Sequence, residues 1–261
     1  MVRINFKGNK LIKSAKKLIT EKKYRDLTNL FVAESYRIIT TLMQNNISLR
    51  NLIVSQESRY FQAAKTLDQK GINVVVLPPN LFNTLSSLAT SDGWIGIFNK
   101  PKKKFNLSQN GKYVLLNKIQ NPGNLGSIIR TAACFNIDGI IISNDSVDLY
   151  HPSIIRATMG SCFSLPIKIV TNLADTIEQM KKYGIMILGT ALTSQTKELK
   201  QVSIANRAFA VIFGNEGQGL SEVILKMCDE VISIPIDRKK IDSLNVSVSA
   251  GIILYHLCNG S

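Results

Sequence analysis

Acidic residues are scarce in this chain: 18 Asp and Glu stand against 32 Lys and Arg over 261 residues, a formal charge of +14. That imbalance makes a polyanion the natural partner, nucleic acid ahead of a membrane surface. Histidine is almost absent. His151 and His256 lack the spacing of metal ligands or of a catalytic triad, so no metal site is expected and both read as surface or helix-end residues. Cys134, Cys162, Cys228 and Cys258 lie far apart with no CxxC, each among apolar neighbours, which points to reduced core thiols in a cytoplasm. No apolar run is long enough to span a membrane. Met1 to Lys10 lacks the apolar core of a signal peptide, and its lysines argue against an arginine- and serine-rich transit peptide. There is no GxxxxGKS or GxxxxGKT loop and no GxSxG elbow, which removes support for P-loop phosphoryl transfer and for an α/β-hydrolase.

What is present is unevenly distributed. Residues 1–104 hold 18 Lys and Arg against 6 Asp and Glu, whereas 105–261 hold 14 against 12. The basic excess therefore belongs to an N-terminal part. Residues 9–23 read as one basic amphipathic helix, with Leu11, Ile12, Ala15, Leu18 and Ile19 on one face. An alternating pattern follows: strands over 29–34, 49–54, 72–77 and 94–98, helices over 36–44, 59–70 and 81–89. Pro101, the lysines at 102–104 and the polar stretch Asn106 to Gly111 mark a linker, set at 105–112. Beyond it, short β-branched runs at 113–116, 139–142, 167–170, 185–188, 209–213 and 231–234 alternate with helical patterns. That predicts a mostly parallel sheet covered on both faces. The expected organisation is a smaller basic α/β domain over 1–104 and a larger α/β domain over 113–261.

Three stretches carry chemistry. Asn121-Pro122-Gly123-Asn124-Leu125-Gly126 precedes a helix expected over 127–135, whose free N–H groups suit an anion. Arg130 stands near its first turn, able to meet the same anion with a bidentate fork. Gly214-Asn215-Glu216-Gly217-Gln218-Gly219 follows a buried strand, and its glycines imply an odd bend or a close approach to a ligand. Its GxxGxG spacing is wrong for a dinucleotide fingerprint. Ile234-Pro235-Ile236 leads through a polar loop, 237–242, to Ser243-Leu244-Asn245, where Ser243 reads as the cap of a C-terminal helix. Val246, Val248, Ile252, Ile253 and Leu257 read as that helix's core.

Together these stretches resemble, in order, the three motifs of the SpoU (TrmH) branch of the SPOUT RNA methyltransferases: NPGNLGSIIRTA, IFGNEGQGLS and ISIPI followed by SLNVSVSAGI. Arg156-Ala157-Thr158-Met159-Gly160-Ser161 resembles a further family segment. The match spans roughly 113–258. Residues 9–98 are similar, more loosely, to the ribosomal-protein-like substrate-binding domain of many members. Two departures stand out: Ala33-Glu34-Ser35 where members usually read Val-Glu-Gly, and a loop after Pro235 that lacks a common glycine and is a residue longer.

The resemblance implies a deep trefoil knot forming an S-adenosylmethionine pocket, lined by Gly214, Asn215, Gly219, Ile234, Ile236, Ser243 and Leu244, with Thr190 and Ala191 as another wall. Bare glycine backbone would then make room for a bent cofactor. It implies methyl transfer to a ribose 2′-hydroxyl of structured RNA, ribosomal RNA before transfer RNA. Arg130 is the leading catalytic residue, with Asn124, Glu216, Ser243 and Asn245 positioning it and the ribose, and Glu216 holding either its loop or Arg130. A homodimer is implied too, with the apolar C-terminal helix as the available packing surface. The competing readings are a non-catalytic RNA-binding or ribosome-associated protein, a methyltransferase acting on a base nitrogen and, distantly, a dinucleotide-dependent oxidoreductase.

Overall fold

The computed structural model describes residues 1–101, 104–193, 196–204, 207–237 and 239–259. The chain divides into two compact units, Met1–Lys102 with Asp148–Phe163, and Lys103–Val147 with Ser164–Ser261. The first unit therefore contains a segment drawn from inside the span 113–261 that the sequence assigns to one domain.

The first unit begins with β1 (Val2–Arg3), α1 (Lys10–Thr20), α2 (Lys22–Thr28), β2 (Leu30–Glu34) and α3 (Tyr36–Gln44). It continues through β3 (Leu49–Ser55), α4 (Phe61–Gln69), β4 (Val74–Leu77), α5 (Pro79–Asn83) and β5 (Trp94–Asn99). Asn9 caps α1 by accepting from the Leu11 N–H. The single helix expected over 9–23 is interrupted: Glu21 is extended at φ −115°, ψ 110°. The carbonyls of Leu18 and Ile19 at the end of α1 are taken up by the Arg25 guanidinium from α2, which also contacts Asp148 at 2.8 Å. The helix expected over 81–89 starts earlier, with Pro79 in its first turn, and stops at Asn83. Beyond it, Glu34 accepts from the Ser86 hydroxyl and from the Ser87 hydroxyl and N–H. These bonds pin that stretch as a loop.

The sheet order is β1-β4-β3-β5-β2, with β5 antiparallel to both neighbours and the other pairings parallel. Val32, Ile53, Val75, Ile95 and Ile97 pack under Ile12, Ala15 and Leu18 of α1. Among the described residues β1 is too short for any periodicity to announce it.

The chain then runs through β6 (Lys112–Leu116), α6 (Pro122–Cys134) and β7 (Gly139–Ser143) before the Asp148–Phe163 segment, which carries α7 (Pro152–Ala157). His151 caps α7, its Nδ1 accepting from the Ser153 N–H. Tyr150 and Phe163 of this segment sit 5.5 and 5.2 Å from the Phe31 ring, which itself stacks on Phe98. That second apolar layer belongs to the N-terminal unit.

The rest of the second unit comprises β8 (Ile167–Val170), α8 (Leu173–Lys182), β9 (Met186–Thr190), β10 (Lys197–Glu198), β11 (Phe209–Phe213), α9 (Glu222–Met227), β12 (Glu230–Ser233) and α10 (Val246–Asn259). Its sheet runs β10-β12-β9-β11-β6-β7-β8, every pairing parallel. The central strands β6 and β11 are buried at all but one of their positions, so they read as unbroken apolar runs. Helical α10 differs from its expected core. Ala250, Ile253, Leu254 and Leu257 are buried, while Val248 and Ile252 are 50% and 40% exposed. The expectation of core thiols holds fully for Cys162 alone: Cys134 is exposed, and Cys228 and Cys258 are half-buried. No helix among the described residues is long and apolar enough to cross a membrane.

Candidate active site

Parallel strands deliver their loops to one end of a sheet, and α/β folds place ligands there, outside the carboxyl ends. The chain leaves β9 at Thr190, β11 at Phe213 and β12 at Ser233. The loops beyond those ends, with the start of α10, enclose a cavity of about 430 Å³. That size lies within the range of small-molecule sites. Thr190, Ala191, Gly214, Asn215, Gly219, Ile234, Ile236, Ser243 and Leu244 all line it. Leu225, Ile232 and Ser249, which the sequence does not place at a site, and Ile253, expected only as helix core, add apolar and hydroxyl surface. The Thr190 hydroxyl donates to the Ile212 carbonyl, tying the end of β9 to β11.

The glycine-rich loop is closed on itself. Asn215 and Gly219 exchange backbone hydrogen bonds at 3.1 and 2.9 Å, and the Asn215 carboxamide oxygen accepts from the Gly217 and Gln218 N–H groups. A Cβ on Gly214 would fall on the carbonyl group of Gly219 and 2.7 Å from the Leu220 nitrogen. Gly219 takes φ +66° with open space around it. Room for a cofactor is thus not what demands glycine at 214; the loop's own backbone does.

A second set of bonds joins this loop to α6. Asn121 caps the helix, accepting from the Gly123 and Asn124 N–H groups at 2.7 and 3.2 Å, with Pro122 in the first turn. The helix therefore begins at Pro122, not at Ser127. Its first N–H groups are occupied by that cap, and Arg130 lies in its third turn. Glu216 accepts from the N–H groups of Gln120 and Asn121 and from the Asn124 amide at 3.0 Å. The Asn124 carboxamide oxygen accepts in turn from the Asn245 amide, also at 3.0 Å. Asn245, rather than Ser243, caps α10: its oxygen takes the N–H and hydroxyl of Ser247. The result is a polar chain from α10 through buried Asn124 to Glu216. Burial acts to raise the Glu216 carboxyl, but the bonds from Asn124, Asn121 and Gln120 outweigh it and hold the carboxyl below the ordinary carboxylate value.

Arg130 stands apart from this arrangement. It is exposed, does not line the cavity, and makes no hydrogen bond or ion pair among the described residues. It shares the exposed side of α6 with Gly123, Ser127 and Cys134, while Asn124, Ile128 and Ala132 face inward. Glu216 holds its loop and is not bonded to Arg130. No cluster of three or more His, Cys, Asp or Glu among the described residues could hold a metal ion. Sequence reasoning gave Asn121 no role, although the Asn-Pro step before a helix signals a cap.

Within the first unit, Ser35 takes φ 96°, a conformation suited to glycine, at the position where the resemblance implies a glycine.

A model of the SpoU rRNA methylase family matches residues 111–255, and one of the MRM3-like substrate binding domain matches 9–96. The chain is 30% identical to a Bacillus subtilis 23S rRNA (guanosine(2553)-2′-O)-methyltransferase, RlmP, over 98% of this chain and 99% of that protein. It is 29% identical to the Neisseria meningitidis 23S rRNA (guanosine-2′-O-)-methyltransferase RlmB, over 82% of this chain and 88% of that one. The AdoMet-bound rRNA methyltransferase from Sinorhizobium meliloti superposes with a TM-score of 0.86 at 26% identity, covering 97% of this chain and 95% of that one. With a family model spanning more than half of its length, this chain belongs to the SpoU rRNA methylase family.

Proposed function

We propose that this chain transfers a methyl group from S-adenosylmethionine to a ribose 2′-hydroxyl of structured RNA, ribosomal RNA in preference to transfer RNA. The observation that carries the reading is the meeting of the Gly214, Ile234 and Leu244 bends on one cavity, with the Asn245–Asn124–Glu216 chain joining its loops to α6. The RlmP and RlmB likenesses support the substrate, and the AdoMet-bound neighbour supports the methyl donor. The cavity's chemistry fits that donor: main-chain polar groups and the hydroxyls of Thr190, Ser243 and Ser249 beside apolar Leu225, Ile232 and Ile253.

When bound, S-adenosylmethionine supplies an electrophilic sulfonium methyl. The protein's own residues do the rest. The closed 214–219 loop and the strand ends fix the donor's position, and proximity supplies much of the rate. Asn124, held at both ends of its amide, and Ser243 orient the ribose. Arg130 stays protonated, so it acts as an electrostatic clamp on an RNA phosphate and on charge developing at the 2′-oxygen, not as the base. The proton leaves to phosphate or water. The basic N-terminal part grips RNA mainly by phosphate and shape.

Arg130 and the cavity belong to one site when two copies associate. The exposed stripe Val248, Ile252 and Tyr255 on α10 supports such a homodimer. The deep trefoil knot and a cytoplasmic location belong to the same reading.

The test is transfer of labelled methyl to ribosomal and transfer RNA from a strain lacking the gene, followed by mapping of 2′-O-methyl sites. A single ribose in ribosomal RNA is expected. Methyl on a base, or no binding of millimolar S-adenosylmethionine by calorimetry, overturns the reading. Near-normal turnover by Arg130→Lys removes the need for a planar fork. Mixing Arg130→Ala with Gly214→Ala copies restores activity if two copies build each site.

A further inference from the structure

The first unit crowds its cations onto one short stretch. Residues 7–23 hold seven lysines and a single acid, Glu21. All seven lysines are exposed, and none has a carboxylate partner among the described residues. The sides of α1 are cleanly divided. Ile12, Ala15 and Leu18 are buried, whereas Lys10, Lys13 and Lys17 recur three and four residues apart on the opposite side. Such neighbours stand about 5–6 Å apart at their Cβ atoms, and like charges at that spacing repel. Lys10 also sits in the first turn, at the positive end of the helix dipole, where no acid offsets it. Local rules are thus broken in one sense, as they are at functional sites, and nothing among the described residues relieves the repulsion.

The lysines are held in place. Glu21 interrupts the helix, and the Arg25 guanidinium takes the Leu18 and Ile19 carbonyls, so α2 folds back on α1. The Tyr24 hydroxyl donates to the Ser14 Oγ at 3.1 Å, and the Lys17 Nζ lies 5.4 Å from the centre of the Tyr24 ring. Lys22 and Lys23, the two residues before Tyr24, are thereby fixed beside the Lys17 end of the row. Cations ordered in advance lose little freedom when a partner binds.

The chemistry of that partner follows. The apolar side of α1 is already buried in the unit's core with Val32, Ile53 and Val75, so this helix has no face to lay into a bilayer. Tyr24 is the only aromatic residue between positions 10 and 28, and Lys17 and Ser14 occupy it. The face therefore lacks a platform for unstacked bases. What it offers is a row of cations at fixed spacing, which suits the phosphates of a double helix recognised by its shape. The other side of the sheet differs. There a Cβ on Gly96 would meet Ile39 of α3, and α3 carries one cation, Arg37.

We propose that the Lys10–Lys13–Lys17 row of α1, continued by Lys22 and Lys23, docks a double-helical stretch of the RNA substrate through its phosphates, without reading its sequence. The proposal deepens the RNA reading of the preceding section and rests on it.

The test uses the full chain. Lys10, Lys13 and Lys17 are changed together to Gln, which keeps helix propensity. Fluorescence anisotropy then follows a labelled RNA duplex of about 20 base pairs, enough to span successive grooves, over rising salt. The triple change is expected to reduce the slope of log affinity against log salt by about 2–3, and to weaken duplex binding about a hundredfold at about 0.1 M salt. Changing Arg37, Lys65 and Lys70 together to Gln, exposed cations on and beside α3 and α4, is expected to reduce the slope by less than about 1. KM for ribosomal RNA is expected to rise with the α1 change, while kcat and S-adenosylmethionine affinity stay unchanged. The melting temperature of the α1 variant is expected to hold or rise, because repulsion is relieved; a structural role for these lysines would lower it. A single strand of the same sequence is expected to bind more weakly than the duplex. An unchanged slope, an equal loss in both variants, a lowered melting temperature in the α1 variant, or tighter binding of the single strand overturns the proposal. If the wild-type protein docks the duplex through these lysines but transfers no methyl, the methyltransferase reading fails and the docking surface stands. Methyl transfer by the α1 variant with a wild-type KM removes the docking surface and leaves the methyltransferase reading intact.

Discussion

The Asn245 amide lies 3.0 Å from the Asn124 carboxamide oxygen, and so ties the cap of α10 to the first turn of α6 across 121 positions of chain. Asn124 is the middle member of the polar chain, and its other end donates to Glu216. Asn124→Ala would leave a carboxylate and an amide each short of a partner, about 1–3 kcal/mol apiece. We expect methyl transfer to fall at least tenfold in kcat while circular dichroism stays native. Wild-type turnover would remove the polar chain from the mechanism.

Glu216 sets a pH dependence. Its carboxyl sits below its ordinary value of 4.5 in the folded protein. A depressed carboxyl stabilises most where it is ionised in both states, and that contribution is lost as pH falls through the folded value. S-adenosylmethionine affinity is therefore expected to stay level from about pH 5 to 8 as far as this group is concerned, and to fall only in more acid solution. Glu216→Gln, which presents an amide to the Gln120 and Asn121 N–H groups, is expected to weaken binding at neutral pH and to flatten the acid limb. Calorimetric titration across pH reads both.

Two glycines of one loop are expected to behave differently. Gly214→Ala drives a Cβ into the Gly219–Leu220 backbone, so the loop must open, and loss of S-adenosylmethionine binding is expected. Gly219→Ala has free space and meets only the left-handed backbone penalty of about 1–2 kcal/mol. A modest fall in melting temperature, with binding retained, is expected there. The reverse ranking would contradict the loop geometry.

The Arg25–Asp148 pair is 2.8 Å long and nearly closed to solvent, at 2% and 8% side-chain exposure. Asp148→Asn leaves the guanidinium buried with its two carbonyl acceptors and no countercharge. Breaking such a pair from one side costs about 3–5 kcal/mol. A clear drop in the denaturation midpoint is expected. Arg25→Met, which removes the charge altogether, is expected to be milder in combination with Asp148→Asn than the sum of the single changes.

Much of this was legible in the sequence because apolar runs in a parallel sheet announce themselves. The apolar run 209–213 predicts a strand and is β11, and the pattern over 36–44 predicts a helix and is α3. The lining residues of the cavity were carried by motif order, not by periodicity. What escaped was decided by side chains acting across the chain. Arg25 ends α1 at a point where lysine-rich amphipathicity runs on unbroken. Asn121 starts α6 inside a stretch that glycines make look like a loop. Val248 and Ile252 read as core because composition cannot tell which apolar face a helix buries. Ser35 departs from glycine in the sequence, but only the backbone shows what conformation the serine must tolerate.

The Asp148–Phe163 excursion has a practical corollary for anyone dissecting this protein. Cutting at the polar stretch after Pro101 yields a fragment that lacks Asp148, Tyr150 and Phe163. Such a fragment keeps Arg25 without its anion and Phe31 without two of its ring neighbours. It should be sticky and poorly folded, whereas grafting 148–163 onto its end through a flexible tether should yield a tractable, monodisperse piece.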